Sequence, residues 1–459
     1  MKIFPSSAGR MFLVVSLPAL ATVFSCAVVD KTSDVPERTD GDPSASDSGR
    51  ADGASDSLPA DAAPTDAQVP KSLEVVCTEE PCYIAVSGSR SRHFCGLVRD
   101  GTVRCWGRDS KIFAASLADG GSSDTDGALG RGSAVSILEG ATPAPVVGLA
   151  SVTQLSVGPN FGTCARTEDG SVYCWGRNDL GQLGRPPSEL HLSTPTRVEG
   201  LPPVDEVQLG FETGCAIASS DRALYCWGRW MPGLGGDAGT AAPFEPQRVT
   251  TFRPPIEALA IATWTASDTI VALREGNILA SAGELAIGET SLSDRTVPLE
   301  MPGVAKIGAF AFVGTDGVVR RWGPSPADAA VFAAGLTGTL NLPTSGFVVD
   351  LKISAANSVD VSPLTDHQGG ALLSTGRLFR WGLNTAGTLG VAPDELVGIR
   401  KPLEVTQLAG QVISFATTVS STCASLVDGK IKCWGSNYYG ELGRGTADTG
   451  SHPNAEVIR

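Results

Sequence analysis

The sequence predicts an all-β chain that folds as a seven-bladed β-propeller with four-stranded blades. Three observations support this prediction. A short unit with two cysteines around a tight turn, followed directly by Trp-Gly, is present four times. The unit recurs three more times in degraded form, and the seven turn centres lie 41 to 69 residues apart. Short strands at this spacing, with one aromatic-glycine motif per unit, are typical of blades stacked in a ring.

Each unit has the pattern of two antiparallel strands joined by a tight turn. In the first unit, apolar residues alternate on both sides of Arg99-Asp100-Gly101, and Gly101 can adopt the positive φ that closes a three-residue loop. Counting outward from this loop places Cys95 opposite Cys105. Such a pair is not hydrogen-bonded, so its Cβ atoms are about 4.5–5.5 Å apart. A disulfide across the hairpin is therefore predicted.

The same register holds in the other three complete units. The predicted pairs are Cys164 with Cys174, Cys215 with Cys226, and Cys423 with Cys433. In the third unit a four-residue loop, Ser219 to Arg222, restores the pairing. The alternative is a pair of buried free thiols, but the weaker units lose both cysteines together, as expected of a bond. At the two positions they carry Ile270 and Ala280, Ala311 and Arg321, and Gly370 and Arg380.

The first 25 residues, 1–25, have the pattern of a secretory signal. Lys2 and Arg10 precede an apolar run that is too short for an ordinary membrane span. The Val-Phe-Ser-Cys sequence that ends at Cys26 resembles a bacterial lipoprotein signal, in which Cys26 would be acylated and become the mature N-terminus. The phenylalanine departs from the smaller residues usual at that position, so an ordinary signal peptide cut nearby is the alternative.

Residues 26–70 are predicted to be the lipidated cysteine and a disordered acidic tether, and residues 71–459 the propeller. The tether is built from Asp, Ser, Ala, Pro and Gly, with ten acids, three bases and no aromatic residue, so it cannot bury a core. Ala27 follows the cysteine, rather than the Asp that in some bacteria retains lipoproteins at the inner membrane. We therefore expect an outer-membrane lipoprotein, with secretion as the alternative.

The cysteine count agrees with export. Eleven cysteines are present, and Cys77 is predicted to pair with Cys82, which leaves Cys26 as the single cysteine outside the disulfide scheme. Disulfides persist outside the reducing cytoplasm.

The charge of the chain argues against one class of partner. Of the net charge of −14, the tether contributes −7 and the signal +2, which leaves about −9 on residues 71–459. The sequence shows no basic stripe of the kind that nucleic acid binding requires. An acidic surface mainly favours solubility, with at most a weak preference for a cationic partner.

The repeat extends beyond the hairpin. A strand such as 152–158 or 204–210 precedes it, and Trp-Gly is followed by an Asn-x-x-Gly-Gln-Leu-Gly run and a proline-containing strand, best seen at 175–198. Similar runs follow at 381–390 and 434–443. Together these features, over about residues 77–459, resemble the regulator of chromosome condensation repeat family of seven-bladed propellers. Units four and five are eroded after the hairpin, and the first carries an insertion, Ser110 to Thr125.

The resemblance implies binding through propeller faces rather than one reaction. The founding nuclear member is a guanine-nucleotide exchange factor for a small GTPase, a role that does not suit an exported chain. Other relatives include a secreted bacterial β-lactamase inhibitor protein and a plant ultraviolet photoreceptor. The repeat tryptophans hold one common position, which favours packing between blades: Trp106, Trp175, Trp227, Trp322, Trp381 and Trp434.

No catalytic, cofactor-binding or metal-binding motif is predicted. The four histidines are His93, His191, His367 and His452, and none pairs with another histidine or with cysteine at metal-ligand spacing. His93, two residues before Cys95, is predicted to be structural. The glycine-rich stretches are turns that precede no helix, and no Gly-x-Ser-x-Gly motif is present.

Departures from the repeat are better candidates for binding, because repetition already explains the other residues. Unit three replaces the Asn-containing run with Arg-Trp-Met-Pro-Gly, which places Trp230 and Met231 there, and unit seven has Tyr438 and Tyr439. Exposed Trp, Tyr and Met are common interface anchors. These four residues are therefore predicted partner contacts, with local core filling as the alternative. The Ser110 to Thr125 insertion is a second candidate.

The predicted function is a non-enzymatic binding module, monomeric and anchored to the bacterial envelope by a lipid only, that holds an envelope protein or polysaccharide on one face. The rival is a polysaccharide lyase or hydrolase, which needs two carboxylates near the channel. Available acids are Asp179, Asp237, Glu284 and Asp394. A third class is an inhibitor of a secreted enzyme. The last strand is expected near Pro453 to Val457, with residues 71–86 sharing ring closure.

Overall fold

The computed structural model describes most of the predicted propeller. The described residues are 73–109, 127–133, 135–229, 244–250, 252–264, 267–281, 286–287, 290–291, 296–299, 303–321, 339–340, 342, 346–354, 368–384, 386–393 and 399–459. The predicted signal, Cys26 and the tether lie outside this part of the chain, as do Trp230, Met231 and the Ser110 to Thr125 insertion.

Seven four-stranded antiparallel sheets, blades one to seven, follow one another along the chain and confirm the predicted propeller. Blade one contains β1 (Tyr83–Gly88), β2 (His93–Val98), β3 (Val103–Gly107) and β4 (Ala144–Pro145). Blade two contains β5 (Val152–Val157), β6 (Gly162–Thr167), β7 (Val172–Arg177) and β8 (His191–Arg197). Blade three contains β9 (Val204–Leu209), β10 (Thr213–Ala218), β11 (Leu224–Gly228) and β12 (Gln247–Arg248).

The other four blades have the same order of strands. Blade four contains β13 (Ala258–Trp264), β14 (Ser267–Arg274), β15 (Asn277–Ser281) and β18 (Thr296–Leu299), with β16 (Ala286–Ile287) and β17 (Thr290–Ser291) paired separately. Blade five contains β19 (Val304–Ile307), β20 (Ala311–Gly314), β21 (Val319–Arg321) and β22 (Thr339–Leu340). Blade six contains β23 (Val348–Ser354), β24 (Gln368–Leu373), β25 (Leu378–Gly382) and β26 (Ile399–Glu404). Blade seven contains β27 (Val412–Thr417), β28 (Ser421–Leu426), β29 (Ile431–Ser436) and β30 (Ser451–Val457).

Helical structure is minor among the described residues. It includes the four-residue α-helix α1 (Ile137–Gly140) and the 3₁₀ turn Thr406–Leu408. A capping box starts α1: Glu139 N donates to Ser136 Oγ and Ser136 N donates to the Glu139 carboxylate. No helix in this part of the chain is long and apolar enough to cross a membrane.

The register of the complete hairpins is as predicted. Cys95 lies opposite Cys105, Val98 N donates to Thr102 O at 2.9 Å, and Gly101 has φ of +81°. The four hairpin disulfides are confirmed, each with its Cα atoms 4.1 Å apart, as expected of a non-hydrogen-bonded pair. A fifth disulfide joins Cys77 to Cys82.

The fourth hairpin differs from the prediction. Val271, not Ile270, lies opposite Ala280. Glu275 and Gly276 form a two-residue turn with φ of +51° and +69°, so the register shifts by one residue relative to a three-residue loop. In the other two weaker units the predicted partners are correct: Ala311 faces Arg321, and Gly370 faces Arg380.

The repeat tryptophans join neighbouring blades, as their common position predicts. Four indole N–H groups each donate to a backbone carbonyl of the preceding blade. The accepting residue is the one directly before the Leu-Gly sequence that follows the third strand of that blade. These bonds run from Trp106 to Glu441 (3.0 Å), Trp175 to Ala128 (3.0 Å), Trp227 to Gln182 (2.9 Å) and Trp434 to Thr388 (2.9 Å). All four indoles are fully buried, so at these four junctions one blade is fixed to its neighbour by packing and an indole hydrogen bond.

The ring closes between blades seven and one without a shared strand. Blade seven consists of residues 412–457 and blade one of residues 83–145, and β30 is the outermost strand of blade seven. The segment before β1 lies across both blades: Val76 N donates to Val427 O at 2.6 Å, and Tyr83 N donates to Gly429 O at 2.8 Å. The Cys77–Cys82 disulfide is part of this segment.

The order of strands defines two faces. First strands of neighbouring blades contact one another and line the axis of the ring. Because the strands alternate in direction, the turns between first and second strands and the loops after third strands share one end, here called the upper face. The Asp-Gly type hairpin turns and the connections between blades share the other end, the lower face.

Candidate functional site

The axis of the ring contains a cavity of about 380 Å³. First strands or the turns after them from all seven blades contribute to its wall, which is made of Ser, Thr, Gln, Gly and apolar side chains. Arg90 and Lys352 are its charged residues among those that the structure describes. The wall therefore has no described carboxylate, in contrast to what the polysaccharide-cleaving alternative requires.

The polar side chains of this wall are used to join blades. Val157 N donates to Ser87 Oγ at 3.1 Å, and Leu209 N donates to Ser156 Oγ at 2.9 Å. The Gln154 amide accepts from Val207 N and donates to Val207 O, at 3.0 and 3.1 Å. Because these groups bond the backbone of the next blade, they stabilise the contacts between neighbouring blades.

Of the four acids considered for the enzyme alternative, Asp179 lies among the described residues. Asp179 accepts hydrogen bonds from Arg177 at 2.5 Å and from Asn160 at 3.2 Å. Burial raises the pKa of Asp179, but the hydrogen bond and charge of Arg177, together with hydrogen bonds from Gln182 and Asn160, hold that pKa below its usual range. The other three acids, Asp237, Glu284 and Asp394, lie outside the described residues.

His93 is a buried link between blades one and two. Ser91 Oγ donates to Gly158 O at 3.1 Å, so it accepts from His93 Nδ1 at 2.9 Å, while His93 Nε2 lies 2.9 Å from Thr163 Oγ1. Complete burial lowers the pKa of His93 to about 3, so the ring is neutral at physiological pH. Within the described residues, no group of three or more His, Cys, Asp or Glu is placed to hold a metal ion.

The upper face carries a cluster of arginine and aromatic side chains over blades one, two and seven. We call Arg92, Arg108, Phe161, Tyr438 and Tyr439 the arginine-aromatic patch. Arg108 Cζ lies 4.4 Å from the Tyr439 ring centroid and 5.2 Å from that of Phe161. Arg92 Cζ lies 5.4 Å from the Tyr439 centroid. Stacking of this kind is favourable because the ring faces are electronegative.

The two predicted tyrosines have different positions in the patch. Tyr438 is 49% exposed, whereas Tyr439 is 6% exposed and meets the Tyr438 ring edge-on at 4.7 Å between centroids. Tyr438 can therefore contact a partner directly, while Tyr439 supports it and positions both arginine side chains. The predicted contacts Trp230 and Met231 lie outside the described residues.

A buried carboxylate lies beneath the patch. Glu441 is fully buried; one of its oxygens accepts from Tyr439 N at 2.7 Å, and the other lies 3.6 Å from Arg92 Nη1. Burial raises the pKa of Glu441 to about 6. In blade two, Gln182 holds the equivalent position and accepts from Leu180 N at 3.0 Å. The neutral Gln182 makes the same hydrogen bond in blade two, so this contact does not require the negative charge of Glu441.

Glu441→Gln is expected to raise the free energy of unfolding by about 2 kcal/mol at pH above ~7 and to leave it unchanged below pH ~4. A pKa raised from 4.5 to about 6 means that the wild type gains stability as pH falls through this window and loses it as pH rises. Glutamine keeps the acceptor for Tyr439 N and has no proton to lose. Urea unfolding of both proteins across this pH range is the measurement; a difference independent of pH would contradict it.

Sequence reasoning missed Arg92, Arg108 and Phe161. Arg92 and Phe161 both hold the position three residues before the first cysteine of a hairpin, which is Glu212 in blade three and Ser420 in blade seven. The residue type at this turn position varies among the blades, and this variation was the signal of a binding site that the sequence offered. Whether such residues form one patch depends on which blades are neighbours.

Parts of the chain match family models of known proteins. Residues 169–217 match one model described as the regulator of chromosome condensation repeat, and residues 84–111 and 152–182 match a second with the same description. The sequence is 26% identical to human E3 ubiquitin-protein ligase HERC2 over 340 residues, which are 69% of this chain but 7% of that protein. It is 24% identical to the Arabidopsis thaliana ultraviolet-B receptor UVR8 over 396 residues, 80% of each chain.

Solved structures support the same fold. Prp20p from Saccharomyces cerevisiae, studied for its binding to Gsp1p and histones, superposes with a TM-score of 0.61 at 19% identity, over 79% of this chain and 87% of that one. The same yeast protein bound to Kap60 gives a TM-score of 0.60 at 19% identity, over 86% and 89%. The chain therefore contains repeats of this type arranged in a seven-bladed propeller.

Proposed function

We propose that this protein is a non-enzymatic binding module that holds a protein partner on the upper face of the propeller. The observation that carries the proposal is the arginine-aromatic patch, in which an exposed tyrosine stands beside two arginines supported by a buried ring. Tyr and Arg are enriched among the interface residues that dominate binding energy. The similar yeast propeller has been solved with the protein partner Kap60 bound, which supports a protein ligand.

The patch is built to bind without rearrangement. Arg108 lies between two rings, and Tyr438 packs against a buried ring, so these side chains have already lost part of their freedom in the unbound protein. Ordering a long side chain on binding costs about 0.5–1.5 kcal/mol, and a group ordered in advance avoids that cost. The alternative is a polysaccharide partner, and the experiment below distinguishes it from a protein partner.

Tyr438→Ala is expected to reduce partner capture about tenfold or more, the usual effect of removing a dominant interface residue. The oxidised full-length protein would be immobilised and exposed to envelope and secreted fractions of the producing cell, with mass spectrometry and glycan analysis of the bound material. Phe347→Ala is the matched control, because Phe347 is a 60% exposed aromatic residue in a connection on the lower face. Equal capture by both variants would refute binding through the patch, and capture of glycan alone would favour the polysaccharide alternative.

We also propose that the protein is exported and held by a lipid on Cys26 at the outer membrane, as a monomer. The signal-like start, the alanine after Cys26 and the disulfides of the propeller support this. Cys26→Ala is expected to move the protein from the membrane to the soluble fraction. Ala27→Asp should keep it in membranes but shift it to the inner one in bacteria that sort by this residue. Membrane association of the Cys26→Ala variant would refute the anchor.

A further inference from the structure

We infer that the partner presents a short acidic segment, whose carboxylates bind Arg92 and Arg108 beside Tyr438. This inference rests on the proposed function and adds the chemistry of the partner. Its basis is the distribution of charge within the patch, the fixed geometry of the two arginines and the acidity of the rest of the domain.

The charges of the patch are arranged with the positive groups outside and the negative groups inside. The Arg92 side chain is 30% exposed, whereas the Glu441 carboxylate 3.6 Å from it is fully buried. Asp109, next to Arg108 in the chain, is 6% exposed, and its carboxylate accepts from Leu129 N at 2.8 Å. At these two positions a partner therefore meets the guanidinium groups and not the acids beneath them. The partly exposed carboxylates at the margin of the patch are already paired, Asp179 with Arg177 and Asp448 with His452.

The arginines have a geometry that suits carboxylates. A guanidinium group stacked on an aromatic ring is held in one plane, and its planar fork of N–H donors matches the two oxygens of a carboxylate. Arg108 is stacked over Tyr439 and Phe161, and Arg92 over Tyr439. The exposed Tyr438 adds an apolar contact of the kind that an aromatic interface residue provides.

The charge of the domain limits the length of the acidic ligand. Residues 71–459 carry about −9, so a long polyanion would meet repulsion beyond the patch. Nucleic acids are also unfavourable, because their binding depends on many phosphate contacts rather than on a few arginines. A protein segment with a few carboxylates and an adjacent apolar residue fits both the positive patch and its acidic surroundings.

The test is fluorescence anisotropy with the full-length protein and a short labelled peptide of alternating Glu and Leu. Its controls are the same peptide with Gln in place of Glu, and polygalacturonate. The acidic peptide should bind more tightly than the Gln peptide, and Arg92→Gln should weaken this binding about tenfold or more, as expected of a hydrogen bond between charged groups. Arg274→Gln is the matched control, because Arg274 is 29% exposed and lies beside a hairpin turn on the lower face. Glu441→Gln should strengthen the binding by removing the negative charge near Arg92.

Three results would overturn the inference. These are equal binding of the Glu and Gln peptides, equal effects of Arg92→Gln and Arg274→Gln, and tighter binding of polygalacturonate than of the peptide, which would indicate an anionic glycan. The acidic-segment inference can fail while the proposed function holds. If Tyr438→Ala abolishes capture of the natural partner and Arg92→Gln leaves capture unchanged, the partner binds at the upper face but not through an acidic segment.

Discussion

Asp268→Ala is expected to lower the free energy of unfolding by roughly 3–5 kcal/mol, because it leaves several buried donors without an acceptor. Asp268 is 1% exposed and belongs to blade four, but its carboxylate accepts from three consecutive backbone N–H groups of blade three: Phe211, Glu212 and Thr213, at 2.9, 2.9 and 3.0 Å. Thr263 Oγ1 donates a fourth hydrogen bond at 2.6 Å. Burial raises the pKa of this carboxyl, and the four donors oppose that effect.

The experiment is urea unfolding of the oxidised protein at neutral pH, with Asp169→Ala as the matched control. Asp169 also accepts three hydrogen bonds, from Thr167 and Ser171, but it is exposed, so water can replace it and little change is expected. Gly210→Ala is an independent check, because a Cβ there would lie 2.3 Å from Asp268 Oδ2 and displace the carboxylate. Similar losses for Asp268→Ala and Asp169→Ala would contradict the prediction.

Trp175→Ala is expected to cost about 3–5 kcal/mol, the usual range for removing a fully buried tryptophan. The indole fills the space between blades one and two, and its N–H donates to Ala128 O at 3.0 Å. The substitution leaves both a cavity and an unpaired buried carbonyl. Differential scanning calorimetry or urea unfolding would measure the loss of stability. If Trp175→Ala lowered the free energy of unfolding by less than a substitution of an exposed residue does, the role of Trp175 as a link between blades would be refuted.

A comparison of two Trp→Phe variants separates the hydrogen bond from the packing. Trp381 in blade six is 2% exposed, and within the part of the chain that the structure describes its indole N–H has no acceptor. Trp381→Phe removes an unpaired donor, whereas Trp175→Phe breaks a hydrogen bond. Trp175→Phe should therefore cost about 1 kcal/mol more than Trp381→Phe. Equal costs would mean that packing alone joins the blades.

The hairpins were predictable because they are local. A loop of three residues with a glycine at its last position sets the strand register. Counting outward from the loop that ends at Gly101 is enough to place Cys95 opposite Cys105. The same rule failed at Glu275-Gly276, where the chain adopts a two-residue turn. Both turn types accept glycine, so sequence pattern alone did not distinguish them.

The candidate site was predicted only in part. Tyr438 and Tyr439 were identified as a departure from the repeat, but their difference in exposure, 49% against 6%, depends on the loop that carries them and on the arginines from another blade. His93 was correctly assigned a structural role from its repeat position. Its hydrogen bonds to Ser91 and Thr163 depend on the contact between blades one and two.

The sequence by itself determined the number of blades, the disulfide-linked hairpins and the position of the tryptophans, because these follow from contacts between residues close in the chain and from repetition. Only the tertiary structure decided the arginine-aromatic patch. Glu441 accepts the Trp106 indole N–H with its carbonyl oxygen, 335 residues away in sequence, while its carboxylate faces Arg92. Closure of the ring brings blade seven against blade one, and no local pattern carries the information that these residues then share one surface.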